Sequence, residues 1–138
     1  MMKKADILNQ LNNDAALQQH IQIVCVKIID YICSISNKNA FKYISYNSLC
    51  KKTKSSPEDI FQAISAMIKN GLPVLDIKFE FIEFEDSAPI EIPSEDIIEA
   101  RITNIFIHPD TGEPVESFKN KIFIYFSLSD FGKEIVCD

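Results

Sequence analysis

Residues 44–72, ISYNSLCKKTKSSPEDIFQAISAMIKNGL, decide how this chain folds. Ser56 offers a hydroxyl that can accept a backbone N–H at a helix start, and Pro57 already has the φ of a first helical residue. Glu58 and Asp59 then complement the positive end of the helix dipole. A helix therefore begins at Pro57. Ile60, Ile64, Met67 and Ile68 give it one apolar face, and Asn70-Gly71, with Pro73 beyond, stops it. Upstream, residues 46–53 read as a shorter helix burying Leu49 and Cys50. A short strand over 41–44 comes before it, after a loop at 36–39.

Working outward, residues 15–35 carry Leu17, Ile21, Val24, Ile28, Ile32 and Ile35 at steps of three and four, widened by Cys25, Ile29 and Cys33. This predicts a long helix whose apolar arc exceeds half its circumference. Such a helix is either central to the core or covered by a partner, which leaves a homodimer or subunit interface open. Residues 5–11 read as one or two loosely docked helical turns.

Downstream the period changes to two. Leu75, Ile77, Phe79 and Phe81 alternate with Asp76, Lys78 and Glu80, and Ile82 and Phe84 follow in the opposite phase. The pattern predicts a long strand with a bulge near Phe81. Ser94 caps a short helix over 95–100, residues 102–107 read as a strand, and Asp110-Thr111-Gly112 as a tight turn. Residues 122–128 form a last strand, and Ser129 caps a terminal helix over 130–136.

This order of elements, with the segment at 44–72 and FSLSDFGKEI at 126–135, resembles bacterial winged-helix regulators of the MarR and PadR type. Leu49, Cys50, Ser56, Gly71 and Leu72 carry the likeness in the first segment, and Leu128, Ser129 and Gly132 in the second. The resemblance implies an α+β fold, a winged helix-turn-helix with a long N-terminal helix and an enlarged β-wing, in one domain over 1–138. It also implies that the helix at 57–70 enters a DNA major groove while the wing touches phosphate or minor groove.

The residue types depart from that role. The polar stripe of the 57–70 helix is Glu58, Gln62, Ser65 and Lys69, with one cation, although Gln62 suits adenine and Lys69 a phosphate. Lys51, Lys52 and Lys54 form the dense basic cluster that a phosphate strand would need. Between Phe79 and Ala100 lie eight acids and no Lys or Arg. Affinity for DNA grows with the phosphates neutralised, so such a wing repels the duplex.

The same stretch suits a protein. Glu83, Glu85 and Asp86 would steer a basic partner, and Phe84, Ile90 and Ile92 would anchor it. Residues 1–71 carry nine lysines against five acids, whereas residues 72–138 carry five bases against fifteen acids, so the two halves suit different partners. The expected function is thus a non-catalytic adaptor or small subunit of a larger assembly, whether or not that assembly itself acts on nucleic acid. The alternative is a DNA-binding regulator using the 57–70 helix and Lys51, Lys52 and Lys54.

Other classes find less support. Asp110-Thr111-Gly112 matches the triplet of aspartic proteases, but it stands between His108-Pro109 and Glu113-Pro114, where a surface turn is expected. No phosphate-binding glycine loop or nucleophile motif is present, so no enzyme is expected. Cys25, Cys33, Cys50 and Cys137 include no C-x-x-C pair, and His20 and His108 stand alone. Neither metal nor cofactor is expected, and the cysteines among apolar neighbours read as free, buried hydrophobes. MMKKADILNQ passes at once into polar helix-forming sequence, and Gln22, Lys27 and Asp30 interrupt the most apolar stretch. A cytoplasmic protein without a membrane span is expected.

Overall fold

The computed structural model describes residues 2–35, 37 and 42–137. These form an α+β protein of two compact units, one over Met1–Asp76 and Phe126–Asp138, the other over Ile77–Tyr125. The expected strand at 41–44 and loop at 36–39 fall largely outside the described residues. No helix among the described residues is long and apolar enough to cross a membrane.

In the first unit, α1 (Lys4–Asn12) buries Ile7 and Leu11 on one face. The chain thus opens on a nine-residue helix, not a long one, and that helix is firmly docked rather than loose. The long helix comes second, as α2 (Gln19–Ser34). It starts later than expected because Asp14 holds a turn, its carboxylate accepting from the Ala16 N–H at 3.0 Å and its carbonyl from Leu17 at 3.1 Å. Short polar side chains of this kind compete with the helix for backbone partners. α2 buries Ile21, Val24, Cys25, Ile28, Ile29 and Ile32, and it packs on α1, α3 and α4. Three helices of its own unit cover the broad arc, leaving Ile23 exposed. Burial pushes the Cys25 thiol up to about 11.

Strand β1 (Ile44–Ser45) leads into α3 (Tyr46–Thr53), whose first turn is capped by Ser45 accepting from the Ser48 N–H at 3.1 Å. Leu49 is buried as expected, whereas Cys50 is only half-buried. α4 (Pro57–Lys69) is capped by Ser56, which accepts from the Asp59 N–H at 3.2 Å. Its end explains the glycine-leucine pair. Gly71, at φ 73°, donates to the Ile68 carbonyl at 3.0 Å, and Leu72 donates to Met67 at 2.8 Å. These two bonds satisfy carbonyls that the helix leaves open, and only glycine takes that backbone conformation freely.

The remaining strands are β2 (Leu75–Phe81), β3 (Ile90–Ile92) and β4 (Ile122–Leu128), in a sheet of order β1-β4-β2-β3 among the described residues. β2 pairs antiparallel with β3, Phe79 opposite Ile92 and Phe81 opposite Ile90. The long strand with a bulge is thus corrected: β2 ends at Phe81, and the chain turns at Phe84, whose carbonyl accepts from the Ser87 N–H at 2.9 Å. Glu80, expected on the wet face, is buried.

The second unit has its own core of Phe81, Ile92, Ile97, Ala100, Phe106 and Phe118. Phe106 stands 5.2 Å from Phe81 and 5.8 Å from Phe118 between ring centres, within the range of favourable aromatic pairs. α5 (Ser94–Thr103) runs a turn further than expected and replaces the start of the strand predicted over 102–107. Of that strand only a bridge between Ile107 and Pro114 exists. The Asp110-Thr111-Gly112 turn closes this bridge, with Gly112 donating to the His108 carbonyl at 3.0 Å.

The terminal helix is shorter than expected. α6 (Asp130–Lys133) gives way to a parallel bridge between Val136 and Lys3. There the Val136 N–H donates to the Met2 carbonyl at 3.0 Å and the Val136 carbonyl accepts from the Lys4 N–H at 2.8 Å, in place of the bonds of another helical turn. Ser129 caps α6 by accepting from the Gly132 N–H at 2.9 Å, and its own hydroxyl lies within bonding reach of the Pro73 and Val74 carbonyls. Cys33 is not free, because it forms a disulfide with Cys137. Sequence separation conceals the pair: the two cysteines are 104 residues apart along the chain, and the tail's return to Lys3 brings them together.

Candidate interaction surfaces

Two surfaces, one in each unit, gather the residues singled out from the sequence. In the first unit Lys51 and Lys52 occupy the last turn of α3, and Lys54 follows as its C-cap in the left-handed conformation, at φ 53°. All three are exposed. Lys27, Lys52 and Lys54 share with Tyr31 and Ser34 the edge of an open depression of about 380 Å³. The α4 stripe stands outward too, with Gln62 and Lys69 exposed and Ser65 half-buried.

Two neighbours on α4 escape the sequence reading. Phe61 and Ile68 are large apolar residues, and both are exposed. Periodicity assigns Ile68 to the apolar inner face, yet Ile60, Ala63, Ile64 and Met67 fill that face without it. A single charge on α4 also has a partner within the unit, since Asp59 lies 3.7 Å from the His20 ring. The outward face of α4 is therefore mixed apolar and polar, with Lys69 as its one cation.

In the second unit the acidic stretch divides. Phe84 is 63% exposed at the tip of its turn, with Glu85 and Asp86 exposed beside it. Glu83 instead faces inward, 3.4 Å from the His108 Nε2. His108 is buried, and its Nδ1 accepts from the Asp110 and Thr111 N–H groups at 3.1 and 3.4 Å. Nδ1 thus serves the turn at 108–112, while Nε2 faces Glu83. Phe81 meets the same imidazole edge to face at 5.2 Å between ring centres.

The anchor assignments for the aliphatic residues need correction. Ile92 is buried in the core of the unit, and Ile90 is half-buried against that core, because β3 pairs with β2 and turns these side chains inward. Ile92 is therefore covered by the unit's own core, whereas Ile90 keeps part of its side chain exposed. Glu91 lies between them on the other side, 3.8 Å from Lys78 and 3.2 Å from the Tyr125 hydroxyl. Burial, and then this carboxylate, push the Tyr125 phenol up.

Apolar exposure sits elsewhere, in a segment that sequence periodicity does not single out. Ile98 and Ile102, four residues apart on α5, are 59% and 80% exposed, and Ile105 and Ile107 just beyond are 55% and 48% exposed. The signal is present in the sequence. Ile98 and Ile102, a step of four apart, share one face of the helix, and buried Ile97 lies on another, so a core that takes Ile97 leaves the other two outside. Among the described residues, no group of three His, Cys, Asp or Glu side chains stands close enough to hold a metal ion.

No family model matches the chain, and neither a curated protein nor a solved structure is significantly similar to it.

Proposed function

We propose that this chain is a non-catalytic winged helix-turn-helix module that works through protein contacts, as an adaptor or small subunit of a larger assembly, whether or not that assembly itself acts on nucleic acid. The element order supports the fold. A short strand, two capped helices, and then β2 and β4 as neighbouring strands give the parts of a helix-turn-helix and a wing. The observation that carries the function is the outward face of α4, which displays Phe61 and Ile68 beside a single cation. A reader of DNA gains most of its affinity from cations on phosphates, and large apolar side chains in the same place serve protein contacts better.

A DNA-binding regulator is the second reading, favoured by the co-exposed Lys51, Lys52 and Lys54. A gel-retardation series with duplex DNA at low salt separates the two. Under the module reading the wild type leaves DNA unshifted. Tight, salt-sensitive retardation, lost on changing all three lysines to glutamate, would establish the regulator instead.

A further inference from the structure

We propose that the groove along α5 binds a lysine- or arginine-rich amphipathic segment of another protein. This deepens the protein-module reading and rests on it. The groove has a volume of about 490 Å³ and lies wholly within the second unit. Buried Ile92, Ala100 and Phe106 and the more exposed Ile105 and Ile107 line it, with Asp96 and Glu99 at its α5 rim. Ile98 and Ile102 lie outside the groove, on the opposite side of α5 from Asp96, Ala100 and Thr103.

Ile105 and Ile107, 55% and 48% exposed, give the groove an apolar wall open to solvent, the kind of surface that marks a contact site. Their surroundings name the class of occupant. Glu91, Asp96 and Glu99 line the groove, and no Lys or Arg is among its lining residues. Asp96 and Glu99 form no ion pair among the described residues, whereas Glu91 is already held by Lys78. An acidic or neutral helix would leave these carboxylates uncompensated. A basic amphipathic segment lays its apolar residues on Ile105 and Ile107 and brings its ammonium or guanidinium groups to Asp96 and Glu99. The aliphatic stems of its cations suit the walls formed by Ile105 and Ile107. The apolar contacts hold the complex, and the charges set its orientation and its rate of formation.

The test uses the full chain and a fluorescent synthetic helix of leucine and lysine, with the leucines on one face. Controls are a scrambled peptide of the same composition, a leucine-glutamate helix, and spermidine as competitor. Fluorescence anisotropy should show binding of the leucine-lysine helix alone, weakening with salt. The double variant Ile105→Ser/Ile107→Ser, at exposed groove positions, should weaken it about tenfold or more. Asp96→Asn/Glu99→Gln should slow association and flatten the salt dependence, while Phe123→Ala, exposed and outside the groove, should bind as wild type. Equal binding of the scrambled peptide, full displacement by spermidine, or wild-type affinity in the isoleucine variant would each overturn the proposal. Retardation of DNA through Lys51, Lys52 and Lys54 would defeat the module reading, whereas silence toward both DNA and peptide would defeat the groove alone.

Discussion

Cys33 and Cys137 form a disulfide that ties the last turn of α2 to the tail beside the Lys3–Val136 bridge. The link spans a sequence separation of 104 residues, so it removes a large set of conformations from the unfolded chain. Reduction should therefore lower unfolding stability by about 2–5 kcal/mol, with little change in the folded spectrum. Urea titrations with and without reductant, followed by tyrosine fluorescence, measure it; coincident curves would show that the bond contributes nothing. Cys33→Ser should behave as the reduced wild type.

Lys54 ends α3 in a left-handed conformation that a side chain with a Cβ adopts at a cost. Lys54→Gly should relieve about 1 kcal/mol of that cost, less the added freedom of glycine when unfolded. The midpoint of thermal unfolding should rise. A fall would mean that the lysine stem contributes contacts that outweigh the strain.

Gly132 has no room for a side chain. A Cβ there would lie 2.3 Å from the Val74 carbonyl oxygen and 2.7 Å from Leu128 Cδ1. Because the first obstacle is backbone, Gly132→Ala should cost about 1–3 kcal/mol. Ser129→Ala removes the cap on the same turn and the bond to Val74, and should cost about 1–2 kcal/mol. The two changes act on one contact, so the double variant should lose less than their sum. Thermal unfolding of the three variants gives the comparison, and strict additivity would show that cap and close approach act separately.

The Asp14 carboxyl is held below its ordinary value of 3.8, first by the Asn70 side-chain amide at 3.0 Å and then by the Ala16 N–H. A group with a lowered folded pKa adds stability that is present above its unfolded value and lost as pH falls through the folded one. Acid unfolding should thus begin at a higher pH in Asn70→Ala than in the wild type. Carboxyl NMR titration should show Asp14 moving back toward 3.8 in that variant. An unchanged Asp14 titration would assign the shift to the backbone bond.

The helical unit is legible in the sequence where local chemistry is decisive. Ser56, Pro57 and Gly71 each act through backbone groups within a few residues, and α4 begins and ends where they place it. Elements that depend on distant partners are harder to read. Residues 134–136 have helix-compatible sequence, yet the bridge to Lys3 draws Val136 out of the helix. β3 is three residues long and carries no strong turn signal of its own, so its pairing with β2, and the burial of Ile92 with it, leave no local trace. Ile102, Ile105 and Ile107 read as a strand because a period of two and a helix end look alike over six residues. The exposed surface of α5 is hidden by the same ambiguity.

The unit made of Met1–Asp76 and Phe126–Asp138 is interrupted in sequence by the other. A ribosome therefore delivers α1 to α4 first, then the whole of residues 77–125, and only afterwards the residues that complete the first unit. Until Ser129 reaches Val74 and Cys137 reaches Cys33, the helices stand without their closing contacts. The later-made unit, contiguous and with its own aromatic core, has every residue it needs before the earlier one does. In the cell, the second half of this molecule is free to finish folding first.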